Sequence, residues 1–506
     1  MKRALLSVFD KTNIIETAKS LESLGYEIVS TGGTLTVLKE NGVKAISVSD
    51  ITGFPECLSG RVKTLHPNIH AGILAKRDDA THMQQLKQLN ISVIDVVIVN
   101  LYPFKQVIMK DSTFDEAVEN IDIGGPTMLR AAAKNYNSVY VAVDSEDYPK
   151  IIEAIKSGES NIEFKKYLMY KVFAHTAAYD AIISQYLMQK LSIDYPQHMT
   201  MTFDKVEDLR YGENPHQSGA LYKNAISKPN ALVNAVMLNG KQLSYNNIND
   251  ASGAINLLKE FEKPTAVAVK HANPCAVASD DNILMAYKKA YESDTVSIYG
   301  GIVAVNREVD VNTAMEMSKI FLEIIIAPSY TKEALEVLCK KVNLRVLCIK
   351  DIEKKCNDIE FKKIDGGIIF QSGDNTLVEE MKTVTQIQPT QQQLDDMVFG
   401  MKVVKHCKSN AIAIVSGNVT LGLGIGQTNR IWATKQAIEH SIKDVKGAVL
   451  ASDAFFPFDD CVEVAGENLI SAIVQPGGSK RDSDSIAMAD NKGITMVFTN
   501  IRHFKH

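Results

Sequence analysis

Thr265-Ala266-Val267-Ala268-Val269, followed at once by Lys270-His271-Ala272-Asn273-Pro274-Cys275, reads as a core strand that stops at two adjacent titratable side chains. Five apolar or β-branched residues in a row fit a strand buried on both faces. Asn273-Pro274 is then expected to break regular structure and re-aim the chain. Open α/β sheets place their sites at such strand ends, so Lys270 and His271 are an acid/base pair in a favourable place. Taken alone, the dipeptide is better explained as a lysine at a strand edge beside a partly buried histidine, so other segments must decide.

Further strands are expected in the same half at 302–305, 322–327, 368–371, 411–416, 448–452 and 494–499. Val267-Ala268-Val269-Lys270-His271 also recurs loosely as Met401-Lys402-Val403-Val404-Lys405-His406. Each run leads to an Asn, at 273 and 410, which raises a duplicated subdomain. In the first two hundred residues, apolar runs at 4–8, 27–30, 93–100 and 139–143 alternate with helix-patterned stretches at 14–24 and 35–40. That alternation predicts a parallel sheet covered by helices. The opening Met1 to Phe9 is read as the first strand, because Asp10-Lys11 interrupts it before a signal-type apolar core forms. A polar break near 195–200 follows a long helical stretch, and the domain boundary is placed there, giving 1–195 and 200–506.

At 506 residues the chain is long enough for two or three cores. A formal net charge of -5 argues against nucleic-acid or anionic-membrane partners and leaves room for local pockets that take small phosphorylated ligands. The seven cysteines, Cys57, Cys275, Cys339, Cys348, Cys356, Cys407 and Cys461, form no CxxC pair and no zinc-type spacing, which fits a reducing cytoplasm and no structural metal. No run of about twenty apolar residues is available to span a membrane.

Polar clusters recur at the predicted strand ends. Ser30-Thr31-Gly32-Gly33-Thr34 precedes a helix pattern and can close backbone N–H groups around a phosphate, although a capped Gly-rich turn looks the same. Arg61-Val62-Lys63-Thr64-Leu65-His66-Pro67 gathers cations suited to a phosphate or an oxyanion. Tyr102 follows the strand at 94–99, where a phenol can donate to an oxyanion. Asp122 and Lys134 bracket a helix opened by Gly124-Gly125 and are expected to face one pocket. In the second half, Arg210-Tyr211-Gly212-Glu213-Asn214-Pro215-His216-Gln217 and 240–247 are donor-rich loops. Gly422-Leu423-Gly424-Ile425-Gly426-Gln427 has a spacing that allows backbone contact with a ligand. Phe455-Phe456-Pro457-Phe458 is either core or a platform for a flat heterocycle.

These motifs, together with NLYPF, RAAAKN, KHANPC, YGGIVAVN, QPGGS and the closing RHFKH, fall in one order along the whole chain. In that order they resemble the bifunctional purine-biosynthesis family that joins aminoimidazole-carboxamide ribonucleotide (AICAR) formyltransferase to inosine monophosphate (IMP) cyclohydrolase. The resemblance implies an α/β chain with an N-terminal methylglyoxal-synthase-like parallel-sheet domain for cyclisation. It also implies a C-terminal pair of cytidine-deaminase-like subdomains without zinc for formyl transfer from 10-formyltetrahydrofolate, with sites completed in a homodimer. It further implies His271 as base for the AICAR amine, Lys270 at the oxyanion or leaving folate nitrogen, and Asn410 at the formyl oxygen. For ring closure it implies Lys63 and Tyr102 at the oxyanion and Asp122 and Lys134 as proton carriers. Nucleotide and phosphate contacts fall on Ser7, Lys11, Ser30, Thr31, Gly32, Arg61 and Thr64 in the first domain, and on Arg210, Tyr211, Arg502 and His506 in the second. Departures from the family pattern occur at Ala276, at His406 with Cys407, and at Thr428 with Asn429. A silent nucleotide-binding relative and a zinc deaminase are the competing readings; the first would show lost catalytic side chains and the second needs ligands that the spacing lacks.

Overall fold

The structure is a computed structural model that describes residues 2–110, 112–158, 161–355 and 359–506, so Cys356 lies outside the described residues. The chain divides into two compact units, Met1–Asp204 with Asn224–Ile226, and Lys205–Lys223 with Ser227–His506.

In the first unit, strands β1 (Lys2–Ser7), β2 (Tyr26–Ser30), β3 (Ala45–Ser47), β4 (Val96–Val99) and β5 (Tyr140–Ala142) form a sheet in the order β3-β2-β1-β4-β5. Every pair is parallel. Leu5, Leu6, Ile28, Val96 and Ile98 are fully buried, as continuous apolar strands must be when helices cover both faces. The chain winds outward from β1 through β2 to β3, then returns to lay β4 on the other side of β1. The β1/β4 junction is therefore the topological switch point, and the crevice beyond the carboxyl ends of these strands is where such sheets hold ligands. The short β3 escaped the sequence reading, because three residues are too few to set a period.

The second unit contains two six-stranded sheets of identical plan. The ribbon β6 (Phe203–Leu209) and β7 (Gly219–Asn224) comes first in the chain. The first sheet comprises β8 (Val236–Asn239), β9 (Thr265–Lys270), β10 (Asn273–Ser279), β11 (Ile302–Val305), β12 (Ile324–Ala327) and β13 (Arg345–Cys348), in the order β10-β9-β11-β12-β13-β8. After the ribbon β14 (Glu360–Ile364) and β15 (Gly367–Gln371), the second sheet comprises β16 (Lys382–Thr383), β17 (Ile412–Val415), β18 (Thr420–Gly424), β19 (Val449–Ser452), β20 (Ala472–Gln475) and β21 (Thr495–Phe498), in the order β18-β17-β19-β20-β21-β16. Strand for strand, the parallel and antiparallel pairings coincide. The two copies meet along β10 and β18: Ser279 N–H donates to Asn418 O at 3.0 Å, and Val277 N–H donates to Thr420 Oγ1 at 2.9 Å. Val267, Val269 and Val277 share one core with Met397, Val403, Ala413 and Val415.

The duplication is real, but its register differs from the sequence match. Residues 401–404 end the helix Gln391–Val404, and the counterpart of β9 is β17, whose following turn is Gly417-Asn418. A short valine-rich run ending in Lys-His suits a strand end and a helix end alike, and periodicity cannot separate them over five residues. Asn273-Pro274 does not end regular structure either; it begins β10, and the proline is accommodated where the pairing register shifts. Residues 368–371 form strand β15, but in an exposed two-stranded ribbon rather than a core sheet.

Candidate active sites

In the first unit, the carboxyl ends of β1 and β2 carry Ser7, Ser30 and Thr31. Ser7 Oγ and Thr31 Oγ1 lie 2.9 Å apart, while the buried Ser30 hydroxyl donates to Leu6 O at 2.6 Å and is thereby occupied with the backbone. Thr31 is the N-cap residue of the helix Gly32–Glu40, with no side-chain cap hydrogen bond, so the helix start presents its N–H groups beside Gly32. A Cβ on Gly32 would sit 3.7 Å from Lys63 Nζ, which brings the lysine to this helix start. Lys11 folds back so that its ammonium donates to Val8 O and, at 3.1 Å, to Phe9 O; burial lowers its pKa.

Asp122 sits at the opening of the helix Gly124–Lys134. Its carboxylate accepts Gly125 N–H at 2.8 Å and the backbone N–H of Tyr102, and its own N–H donates to Tyr179 Oη at 2.9 Å. Gly124 and Gly125 permit this closeness, since a Cβ on the first would come 2.5 Å from Thr64 Oγ1 and one on the second 2.6 Å from Asp122 Oδ2. Burial raises the Asp122 pKa against the opposing pull of those two N–H groups and the Lys63 charge. The fold thus gathers Gly32, Lys63, Thr64, Tyr102 and Asp122, with a half-exposed Tyr102 ring 5.9 Å from that of Phe9.

Two expected members stand apart. Arg61 is exposed and paired with Glu119. Lys134 closes the helix whose start holds Asp122, about 15 Å further along its axis, so within one chain the two do not share a pocket. The expectation failed because the two positions, twelve apart in sequence, sit at opposite ends of a helix. Tyr179, which orients Asp122 from the helix Ile162–Lys190, was not foreseen; a tyrosine in a 29-residue helix carries no local signal of its distant partner. A cavity of about 580 Å³ opens at the same sheet edge, lined by Phe9, Asn100, Tyr167, Lys171 and His175 among others, but neither Lys63 nor Asp122 lines it.

In the second unit, Lys270 ends β9 and its ammonium donates to Tyr299 O at 2.9 Å, while His271 is exposed in the turn to β10. Asn410 precedes β17. Its Nδ2 donates to Gln427 O at 2.7 Å and its Oδ1 accepts from Arg430 Nη2 at 2.6 Å. Arg430 in turn donates to Asp453 Oδ1 at 2.5 Å and to Ser452 Oγ at 2.7 Å, and both Arg430 and Asp453 are buried. Of this fixed scaffold the sequence singled out Asn410 alone, and Arg430 and Asp453 were missed. The C-terminal segment runs beside it: Ser409 N–H donates to Lys505 O at 2.8 Å, bringing the neighbours of Arg502 and His506 to Asn410. Because β10 and β18 run antiparallel from Ser279 and Val419, the Lys270-His271 turn and the Asn410 approach to β17 lie towards one end of the joined sheets.

Arg210 stacks on Tyr211 at 5.2 Å, in a loop tied to the 240–247 segment by Asn246 Nδ2 donating to Glu213 O at 3.2 Å. The Gly422/Gly424 spacing has a different purpose from ligand contact. A Cβ at these positions would come 2.0 Å from Ala437 O and 1.9 Å from Ala433 O, so the glycines let the helix Arg430–Glu439 lie directly on β18. Phe456 is core, whereas Phe458 is exposed beneath the Arg481 guanidinium at 5.1 Å. Among the described residues, no group of three or more His, Cys, Asp or Glu side chains is placed to hold a metal ion, and no helix is long and apolar enough to cross a membrane.

The AICARFT/IMPCHase bienzyme family model matches residues 132–440, and an MGS-like domain model matches residues 13–127. The chain belongs to the AICARFT/IMPCHase bienzyme family. As a member it is both a formyltransferase and an IMP cyclohydrolase of purine biosynthesis. It is 56% identical to the bifunctional purine biosynthesis protein PurH of Acetivibrio thermocellus and 55% identical to that of Thermoanaerobacter sp., covering 100% of both chains in each case. A solved structure titled "Crystal structure of ForH" is 33% identical over 37% of this chain and 98% of its own, with a TM-score of 0.33. Within the bienzyme family, the parallel sheet of the first unit is the MGS-like part, and the mixed sheets of the second complete the α/β fold.

Proposed function

We propose that the two activities are divided between the two units, with cyclisation at Lys63, Thr64, Tyr102 and Asp122 and formyl transfer at Lys270, His271 and Asn410. The observation that carries this reading is the presence of two separate constellations, one at the switch point of the parallel sheet and one at a strand-end turn of the tandem sheets. The co-substrate is 10-formyltetrahydrofolate. The 5-amino lone pair of AICAR is delocalised into the ring and carboxamide, so its attack on the formyl carbon requires removal of a proton, a task for the imidazole of His271. Lys270 supports the tetrahedral oxyanion or protonates the departing folate nitrogen, and Asn410, held by Arg430, orients the formyl oxygen. Arg210, Tyr211, Arg502 and His506 hold the nucleotide.

In the second step the carboxamide nitrogen attacks the formyl carbon of the same molecule and water leaves. Such closure depends chiefly on positioning and proton traffic, so no metal is required. Lys63 and Tyr102 face the developing oxyanion. Within a single chain, proton handling falls to Asp122 with Lys63 rather than to Lys134. Ser7, Thr31, Gly32 and the helix start behind them suit the phosphate. The identical plan of the tandem sheets supports the pair of cytidine-deaminase-like subdomains. The exposed apolar ribbon carrying Phe361, Ile364, Ile368 and Ile369 supports a homodimer, because an isolated hairpin is marginal in water. The cytoplasm is the compartment proposed.

The test follows tetrahydrofolate and IMP together from AICAR and 10-formyltetrahydrofolate. Wild type is expected to yield both. His271→Ala should lose the first product by roughly 10²–10⁴-fold, and Lys63→Ala should accumulate the formylated intermediate. Failure of wild type to release tetrahydrofolate would sink the transferase assignment and favour the silent nucleotide-binder.

A further inference from the structure

The turn between β9 and β10 holds two consecutive residues in the left-handed region, His271 at φ 54° and Ala272 at φ 58°. Two-residue hairpin turns of this kind are the province of Gly and Asn, since a Cβ is crowded at positive φ. The tandem copy provides the comparison within the same molecule. Its equivalent turn between β17 and β18 has Gly417 at φ 63° and Asn418 at φ 58°, the residue types the geometry favours. The first copy therefore keeps a strained backbone at the one turn that carries a titratable side chain.

Strain of this sort persists only where neighbouring groups over-determine it, and here the neighbour is a single carboxylate. Asp250, on the helix Tyr245–Leu258, accepts Ala272 N–H at 2.7 Å and also the N–H of His271. The second copy repeats the device. Asp396, on the helix Gln391–Val404, accepts Gly417 N–H at 3.0 Å and Asn418 N–H at 2.7 Å. From carboxylate to the second turn residue the separation is 22 residues in both copies. The clamp is thus an inherited part of the duplicated fold, while the imidazole was placed on only one of the two turns. Asn273 Nδ2 reinforces that turn by donating to His271 O at 3.0 Å.

Resting on the transferase reading above, we infer that Asp250 is a positioning residue for formyl transfer: it locks the strained His271-Ala272 turn by its backbone N–H groups and so fixes where the imidazole points. Asp396 performs the same structural task at a turn without chemistry.

The experiment compares Asp250→Ala, Asp250→Asn and Asp396→Ala in the full chain. For Asp250→Ala, kcat for formyl transfer is expected to fall about 10²-fold, the scale of a misplaced catalytic group, with KM for AICAR and for 10-formyltetrahydrofolate within about threefold of wild type. Ring closure of added formyl-AICAR by the same preparation should be unchanged. Asp250→Asn keeps one acceptor oxygen and should fall between Asp250→Ala and wild type, which preserves the test if the alanine variant does not fold. Asp396→Ala should lower the melting temperature to a similar degree yet leave transfer kcat within about threefold. Retention of kcat by both Asp250 variants would overturn the inference while leaving the transferase assignment intact. An equal loss in Asp396→Ala would also overturn it, by showing that any weakened turn suffices. A wild type without formyl transfer would instead remove the underlying reading and this role with it.

Discussion

Asp122 shows how a single carboxylate can be costly to the fold and useful to the chemistry. It is packed against a helix start with only two backbone N–H groups and the Lys63 ammonium to offset the loss of water, and burial prevails, raising its pKa above the ordinary 3.8. A carboxylate whose folded-state pKa is raised binds its proton more tightly in the folded state. Its ionisation therefore subtracts from stability as pH climbs from about 3.8 through the higher folded value, and the deficit persists at neutral pH. Asp122→Asn removes that deficit together with the carboxylate proposed to carry the proton. Its melting temperature at pH 7 is expected to equal or exceed that of wild type, with the difference shrinking towards pH 3.8, while the rate of IMP formation from formyl-AICAR falls roughly 10²–10⁴-fold. Thermal melts across pH, paired with the cyclisation assay, check both halves. A variant that is less stable than wild type at pH 7 would mean that the N–H contacts outweigh burial.

At the scale of elements, glycine spacing had two meanings that the sequence did not separate. Gly124-Gly125 lets Thr64 and Asp122 press onto a helix start, whereas Gly422 and Gly424 let a helix press onto a strand. Gly424→Ala would force a Cβ to within 1.9 Å of Ala433 O, which only backbone movement can relieve. Denaturant unfolding should report a loss of about 1–3 kcal/mol, the range for overpacking a tight interior contact. Cyclisation should be spared, because the contact lies within the second unit. Legibility follows the same division. The apolar runs within β1, β4, β9 and β11 announced themselves through composition, as did the helix patterns at 14–24 and 35–40. So did Lys270, His271, Asp122 and Tyr102, because each adjoins such an element. Tyr179, Arg430 and Asp250 did not, since what gives each its purpose is a partner 20 to 57 residues away. The true register of the duplication was hidden for a related reason: the two copies share fold and clamp but differ at the turn residues, His271-Ala272 in one and Gly417-Asn418 in the other.

For the molecule as a whole, the tandem copies are held together by more than β10 and β18. Glu260, from the first copy, is buried and accepts from Lys405 Nζ at 2.9 Å and His406 Nε2 at 3.1 Å, both from the second copy, with Lys355 Nζ completing the cluster at 2.6 Å. Burial alone would raise its pKa, but the hydrogen bonds from His406, Lys355 and Lys405 outweigh it and hold the carboxyl well below the ordinary 4.5. Lys355 is half-exposed and contributes little, whereas Lys405 is as buried as the carboxylate, so removing one charge strands the other away from water. Glu260→Gln should therefore destabilise the second unit by about 3–5 kcal/mol at pH 7. The sign with pH is fixed by the direction of the shift: a depressed carboxylate pKa adds stability that is fully present above the unfolded value of 4.5 and is lost as pH falls towards the folded one. The gap between wild type and variant should accordingly be constant from pH 7 to about 5 and close progressively below 4.5, as read by calorimetry of the full chain. A gap that stays constant down to pH 3 would show that the contact is held by packing between the copies rather than by charge.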